Sequence, residues 1–118
     1  MFKIVATAIL SITLLSPVYS TKKAFEEKIK SPEQTYVVFG ADWCEPCVRL
    51  KRLLKEVEIA KKIVFLDASN PWVDDLLTKL EFRGIPYTVV YKDGKPTGVV
   101  RFGLSDSLIF LIANVDSD

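Results

Sequence analysis

Cys44 and Cys47 are the only cysteines of the chain, and the run Trp43-Cys44-Glu45-Pro46-Cys47 sets two residues between them. Two thiols at that spacing can close into a small disulfide ring and reopen, moving two electrons. The ring encloses so few residues that it constrains the unfolded chain little, so a purely structural staple explains it poorly. The chain has no histidine at all. That excludes His-based acid–base catalysis and a Ser-His or Cys-His nucleophile. It also removes the imidazole ligands of common zinc and copper sites. Two thiolates could still hold copper(I), but the single methionine, Met1, offers no placed thioether beside them. No metal and no cofactor is expected.

The flanking elements decide whether such a pair is reactive. An apolar run, Tyr36-Val37-Val38-Phe39, precedes the thiols and reads as a buried strand. After them, Cys47, Leu50, Leu53, Leu54 and Val57 form one apolar stripe to about Ala60, with Arg49, Lys51, Arg52, Lys55, Glu56 and Glu58 on a solvated face. Gly40 to Pro46 is then a loop between strand and helix, and Cys44 falls at the helix N-terminus. Unpaired N–H groups and the helix dipole favour a thiolate there.

Upstream, Ala24, Phe25 and Ile29 mark a helix over Lys22 to Lys30, stopped by Ser31-Pro32. Downstream, Ile63 to Leu66 is a second strand ending at Asp67. Ser69-Asn70-Pro71 reads as a helix start with a capping side chain, and Val73, Leu76, Leu77 and Leu80 give that helix its apolar face. Tyr87 to Tyr91 and Gly98 to Phe102 are two further strands around Asp93-Gly94, a hairpin signal. The last helix is expected to be capped by Ser105 or Asp106 and to pack through Leu108, Ile109, Leu111 and Ile112. The order α-β-α-β-α-β-β-α predicts an α/β fold: parallel pairing first, an antiparallel hairpin at the edge, and a four-stranded mixed sheet flanked by helices on both faces.

At 118 residues, 26% charged and with net charge +1, the chain has room for one domain and no basic excess that would suggest nucleic acid. Its first twenty residues stand apart. Lys3 is followed by the uncharged stretch Ile4 to Leu15, and Val18 and Ser20 occupy the −3 and −1 positions of a cleavage site. Residues 1–20 therefore read as a secretory signal peptide and 21–118 as the folded domain. The stretch is short of the roughly 20 apolar residues of a spanning helix, which makes an uncleaved anchor the lesser alternative. Export, for instance to a periplasm, would place the thiols where disulfides persist.

Ala41-Asp42-Trp43-Cys44-Glu45-Pro46-Cys47, Arg83-Gly84-Ile85-Pro86 and the Lys92-Asp93-Gly94 hairpin together resemble the thioredoxin family, in the right order and over nearly all of residues 21–118. The Ala-Asp-Trp-Cys opening also resembles the exported C-terminal domain of the membrane thiol:disulfide interchange protein. The resemblance implies a thioredoxin-like fold in which Cys44 is the exposed attacking thiol and Cys47 resolves the mixed disulfide. It implies that Pro86 is a cis-proline facing the thiols, that the backbone of Ile85 pairs with substrate as an added strand, and that Trp43 shapes the docking surface. Two positions and one length depart from the family. Val38 stands where a buried acid usually accepts the resolving thiol's proton, leaving water, Glu45 or an acid brought near by folding. Glu45 replaces a small residue and should disfavour the neighbouring thiolate, which makes the couple less oxidising. The chain before Tyr36 is too short for the family's extra first strand, so four strands are expected.

The resemblance thus implies an exported thiol–disulfide oxidoreductase that mainly reduces, or relays electrons to, disulfides of envelope proteins. Pro46 before the second cysteine, Ile85 before Pro86, and Glu45 favour that direction. A disulfide-forming oxidase and a redox-silent binding module remain alternatives, the latter because of Val38. Disulfide-containing proteins and a membrane electron donor are the expected partners, with no nucleic acid, and the protein is expected to be a monomer.

Overall fold

The computed structural model describes residues 21–115. Its elements run α1 (Lys22–Ile29), β1 (Thr35–Gly40), α2 (Glu45–Glu56), a 3-10 turn (Ala60–Lys62), β2 (Ile63–Asp67), α3 (Pro71–Lys79), β3 (Tyr87–Lys92), β4 (Lys95–Phe102) and α4 (Leu104–Val115). The strands form one mixed sheet in the order β2-β1-β3-β4.

Successive side chains of a strand leave opposite faces, and β1 uses both. Val37 and Phe39 join Phe25 and Ile29 of α1 and Val73 and Leu77 of α3 in one core. Val38 joins Leu50 and Leu54 of α2 and Leu111 and Val115 of α4 in the other. A continuous apolar run is what a strand covered on both faces requires. The four-stranded sheet with helices on both faces agrees with the expectation from the sequence.

Strand direction differs in one place. β1 and β2 are parallel, but β3 enters antiparallel to β1, from Thr35↔Tyr91 to Phe39↔Tyr87. Apolar periodicity is blind to chain direction, so the pattern that located β3 could not orient it. β4 then closes antiparallel on β3 through a two-residue loop between Lys92 and Lys95. Asp93 and Gly94 both have positive φ, 55° and 84°, the geometry a primed turn demands. Their amides donate to Ser31 and Ile29 carbonyls at 2.9 and 2.7 Å, fastening the hairpin to the end of α1.

Two helix starts also differ from the sequence reading. Asn70 is the N-cap of α3, yet its side chain makes no capping bond; Pro71 at the first helical position sets the backbone instead. The last helix begins at Leu104, ahead of both Ser105 and Asp106. Gly103, at φ 92°, turns the chain, and its carbonyl accepts the first helical bond from the Ser107 amide at 3.1 Å. Asp106 reaches back to the Phe102 amide at 3.3 Å. Ser107, not Ile109, faces inward: Thr88 and Ser107 share a buried hydroxyl contact of 2.8 Å, while Ile109 is 69% exposed.

Parallel pairing brings the carboxyl ends of β1 and β2 together, with Gly40 opposite Asp67. The Ala68 amide donates to the Gly40 carbonyl at 2.8 Å and locks the two exits side by side. The thiol loop leaves from one, and the loop carrying Ser69 leaves from the other. Among the described residues, no helix is long and apolar enough to cross a membrane; residues 1–20, which the sequence reads as a signal peptide, lie outside them.

Candidate active site

Cys44 is the N-cap of α2, with extended backbone at φ −98° and ψ 106°. Its carbonyl accepts the first helical bond, from the Val48 amide at 3.0 Å. Its Sγ accepts the Cys47 amide at 3.3 Å, where a serine or aspartate oxygen would cap an ordinary helix. Pro46 lies in the first turn, where its missing N–H leaves no bond unmade. The local sequence thus builds a helix end whose capping atom is sulfur.

The two cysteines are joined as a disulfide with their Cα atoms 5.2 Å apart. Both are buried, Cys44 at 7% exposure and Cys47 at 8%. An exposed Cys44 beside a buried Cys47 is therefore not what the structure has. Hydrogen bonding separates the two: Cys44 holds the capping position and stands 3.8 Å from the Ile85 carbonyl oxygen. Gly40 makes room for Cys47, since a Cβ there would lie 3.0 Å from the Cys47 Cβ and 3.2 Å from its Sγ.

Ile85 packs with Ala41, Cys44 and Cys47 in a small apolar cluster, and the Ile85–Pro86 peptide bond is cis. Trp43 is 74% exposed, and its indole Nε1–H donates to Ser69 Oγ at 3.3 Å. The ring is thereby tethered to the loop after β2, beside the thiols. Glu45 points outward: its carboxylate pairs with Arg49 one turn along at 3.0 Å, and the side chain is 79% exposed. The structure so gathers Trp43, Cys44, Cys47, Ile85 and Pro86 at one end of the sheet and turns Glu45 to solvent. Val38 lies in the core at 3% exposure.

Two contributors were not singled out by the sequence reading. In the sequence Ser69 reads only as part of a helix start, and nothing in its local pattern announces the indole. Gly40 reads as the start of the loop, although a glycine ending a buried strand beside a reactive motif is a sign of close approach. Among the described residues, no group of three or more Cys, Asp or Glu is arranged to hold a metal ion.

A cysteine pair closed as a disulfide on a strand–loop–helix unit of a mixed sheet has the parts that thiol–disulfide exchange requires. The thioredoxin family model matches residues 16–114. Thioredoxin from Staphylococcus aureus is 35% identical over 94 residues, covering 75% of this chain and 86% of that protein. Thioredoxin from Rickettsia bellii is 31% identical over 78 residues, covering 64% and 74%. In three dimensions, thioredoxin from Malassezia sympodialis superposes with a TM-score of 0.67 at 19% identity, over 85% of this chain and 89% of that one. The chain belongs to the thioredoxin family and is a thiol–disulfide oxidoreductase.

Proposed function

We propose that the protein is exported and acts mainly as a reductant or electron relay for disulfides of envelope proteins, recharged by a membrane electron donor. The observation that carries the chemistry is the Cys44 sulfur at the helix N-cap under the Cys47 amide, 3.3 Å away. In the reduced protein that N–H and the helix dipole favour the Cys44 thiolate. The thiolate attacks one sulfur of a substrate disulfide, forms a mixed disulfide and expels the first substrate thiolate. Cys47 then loses its proton and attacks Cys44, which closes the ring and releases the second thiolate. Protonation of both leaving thiolates completes the transfer of two electrons and two protons.

The substrate docks over Trp43 and Pro86 and lays its backbone along Ile85, whose carbonyl is already at the Cys44 sulfur. Lys3, the uncharged Ile4 to Leu15 stretch and the Val18/Ser20 cleavage pattern support export. The reducing direction rests on the residues in and opposite the ring: Glu45, Pro46 and Ile85, with no histidine between the thiols. Equilibration with glutathione tests it. A potential near that of thioredoxin, roughly −270 mV, is expected; one near roughly −120 mV, that of a strong oxidant, contradicts the direction.

A further inference from the structure

Resolution requires something to take the Cys47 proton, and Val38, apolar and 3% exposed, cannot. Strand register shows which acid lies near. Gly40 pairs with Asp67 two residues beyond the Val38–Phe65 pair. By the two-residue period, Gly40 and Asp67 therefore face the side that carries Val38, Phe65 and α2. Gly40 has no side chain, and its Cβ position lies 3.2 Å from the Cys47 Sγ. The residue paired with Gly40 on the neighbouring strand is Asp67, one strand spacing, about 4.8 Å, from Gly40.

A cavity of about 210 Å³ opens at this place, lined among others by Val38, Gly40, Asp42, Cys47, Lys51 and Asp67. At about 30 Å³ per water it has room for several, with polar partners to hold them. The charged residues that line the cavity together with Cys47 are Asp67 from β2, Asp42 from the loop and Lys51 from α2. Asp42 and Lys51 are exposed, whereas Asp67 is half-buried. The Asp67 carboxylate is also oriented: one oxygen accepts the Ser69 amide at 2.8 Å. Lys51, four residues after Cys47 on the same helix face, holds its ammonium 5.2 Å from the Phe65 ring centre.

We propose that Asp67 accepts the Cys47 proton through water in this cavity, with Lys51 as the neighbouring countercharge. The inference rests on the oxidoreductase reading and supplies its missing step. The S–H bond of Cys47 breaks, its proton passes through water to the Asp67 carboxylate, and the new thiolate attacks Cys44 of the mixed disulfide. The Asp67 carboxyl then returns the proton to solvent, where the released substrate thiolate is protonated.

Single-turnover reduction of a disulfide-bonded peptide by the reduced protein separates the two steps. Asp67→Asn keeps an acceptor for the Ser69 amide but not the base. It is expected to slow the second step about tenfold near neutral pH, within what general bases contribute, and to make that step rise steadily with hydroxide. The first attack by Cys44 should stay within about twofold, and Asp67→Glu should restore most of the second rate. A second readout needs no turnover. In Cys44→Ser protein, removing the nearby carboxylate should move the Cys47 titration curve, followed by NMR, to lower pH. Equal loss of both steps, slowing confined to Asp42→Asn, or an unmoved second step and titration curve overturns the proposal. In those cases Cys44 still forms mixed disulfides and the oxidoreductase reading stands. A wild-type protein that forms none removes that reading, and this inference with it.

Discussion

The two faces of the sheet differ in what fills them and in what their openings reach. On the α1/α3 side the core is filled with rings: Phe25 lies 5.7 Å from Trp72 and 5.5 Å edge-on to Tyr91, and Tyr87 stands between Phe39 and Phe82. That packing buries the Tyr91 hydroxyl without a partner among the described residues. On the α2 side, next to the thiols, Gly40 ends the strand without a side chain, and a cavity of about 210 Å³ opens beside Cys47. An opening of about 620 Å³ lies on the ring-filled face, beside Trp72 and Tyr91, but no cysteine lines it. The smaller one on the α2 side is lined by Cys47.

That contrast can be broken from either side, and the largest effects should come from the cores. Leu77→Ala, fully buried under α3, is expected to cost about 2–5 kcal/mol in urea unfolding while leaving the reactivity of the folded thiols unchanged. Leu50→Ala, equally buried but one turn from Cys47, should cost as much and also slow disulfide exchange. If both variants slowed exchange alike, the division between the faces would not hold. Gly40→Val comes next. Its side chain meets the Cys47 Cβ and Sγ, so an overpacking loss of about 1–3 kcal/mol and impaired ring closure are expected together.

Tyr91 offers a pH test of the aromatic side. Burial, then the neighbouring Tyr87, pushes its pKa up from 10.0 to about 12. Below pH 10 the folded and unfolded chains both keep the proton, and stability is unaffected. Between pH 10 and 12 the unfolded chain ionises and the folded one does not, so stability falls as pH rises, by at most about 3 kcal/mol. Tyr91→Phe should lack that alkaline loss in urea titrations, and at pH 7 it should gain about 1 kcal/mol by removing the unpaired hydroxyl. The smallest effect is expected at Glu45. Its carboxylate is exposed and paired with Arg49, so Glu45→Gln should raise the Cys44 alkylation rate at neutral pH by less than about threefold. A change of tenfold or more would mean that Glu45 acts on the sulfur directly.

The thiol pair, the helix that carries it, the four strands and the Asp93-Gly94 turn were all legible in the sequence, because each depends on local spacing or on a local backbone demand. The direction of β3 was not, since alternation reads the same from either end. Nor was the burial of Cys44, which depends on Ile85 arriving from a loop forty-one residues away. Asp67 is the clearest case. In the sequence it only ends a strand, and its place beside Cys47 follows from the pairing Gly40↔Asp67, a fact of register. The Glu45–Arg49 pair, by contrast, lies at the ordinary four-residue helical spacing and could have been read directly, moderating the weight placed on Glu45.

The central claim is that Cys44 attacks and Cys47 resolves. Mass spectrometry of reduced Cys47→Ser and Cys44→Ser proteins, each mixed with a disulfide-bonded peptide, tests it most directly. The account expects a long-lived peptide adduct on Cys44 in the first protein and little or none on Cys47 in the second. Adducts forming on Cys47 as fast as on Cys44 would contradict it.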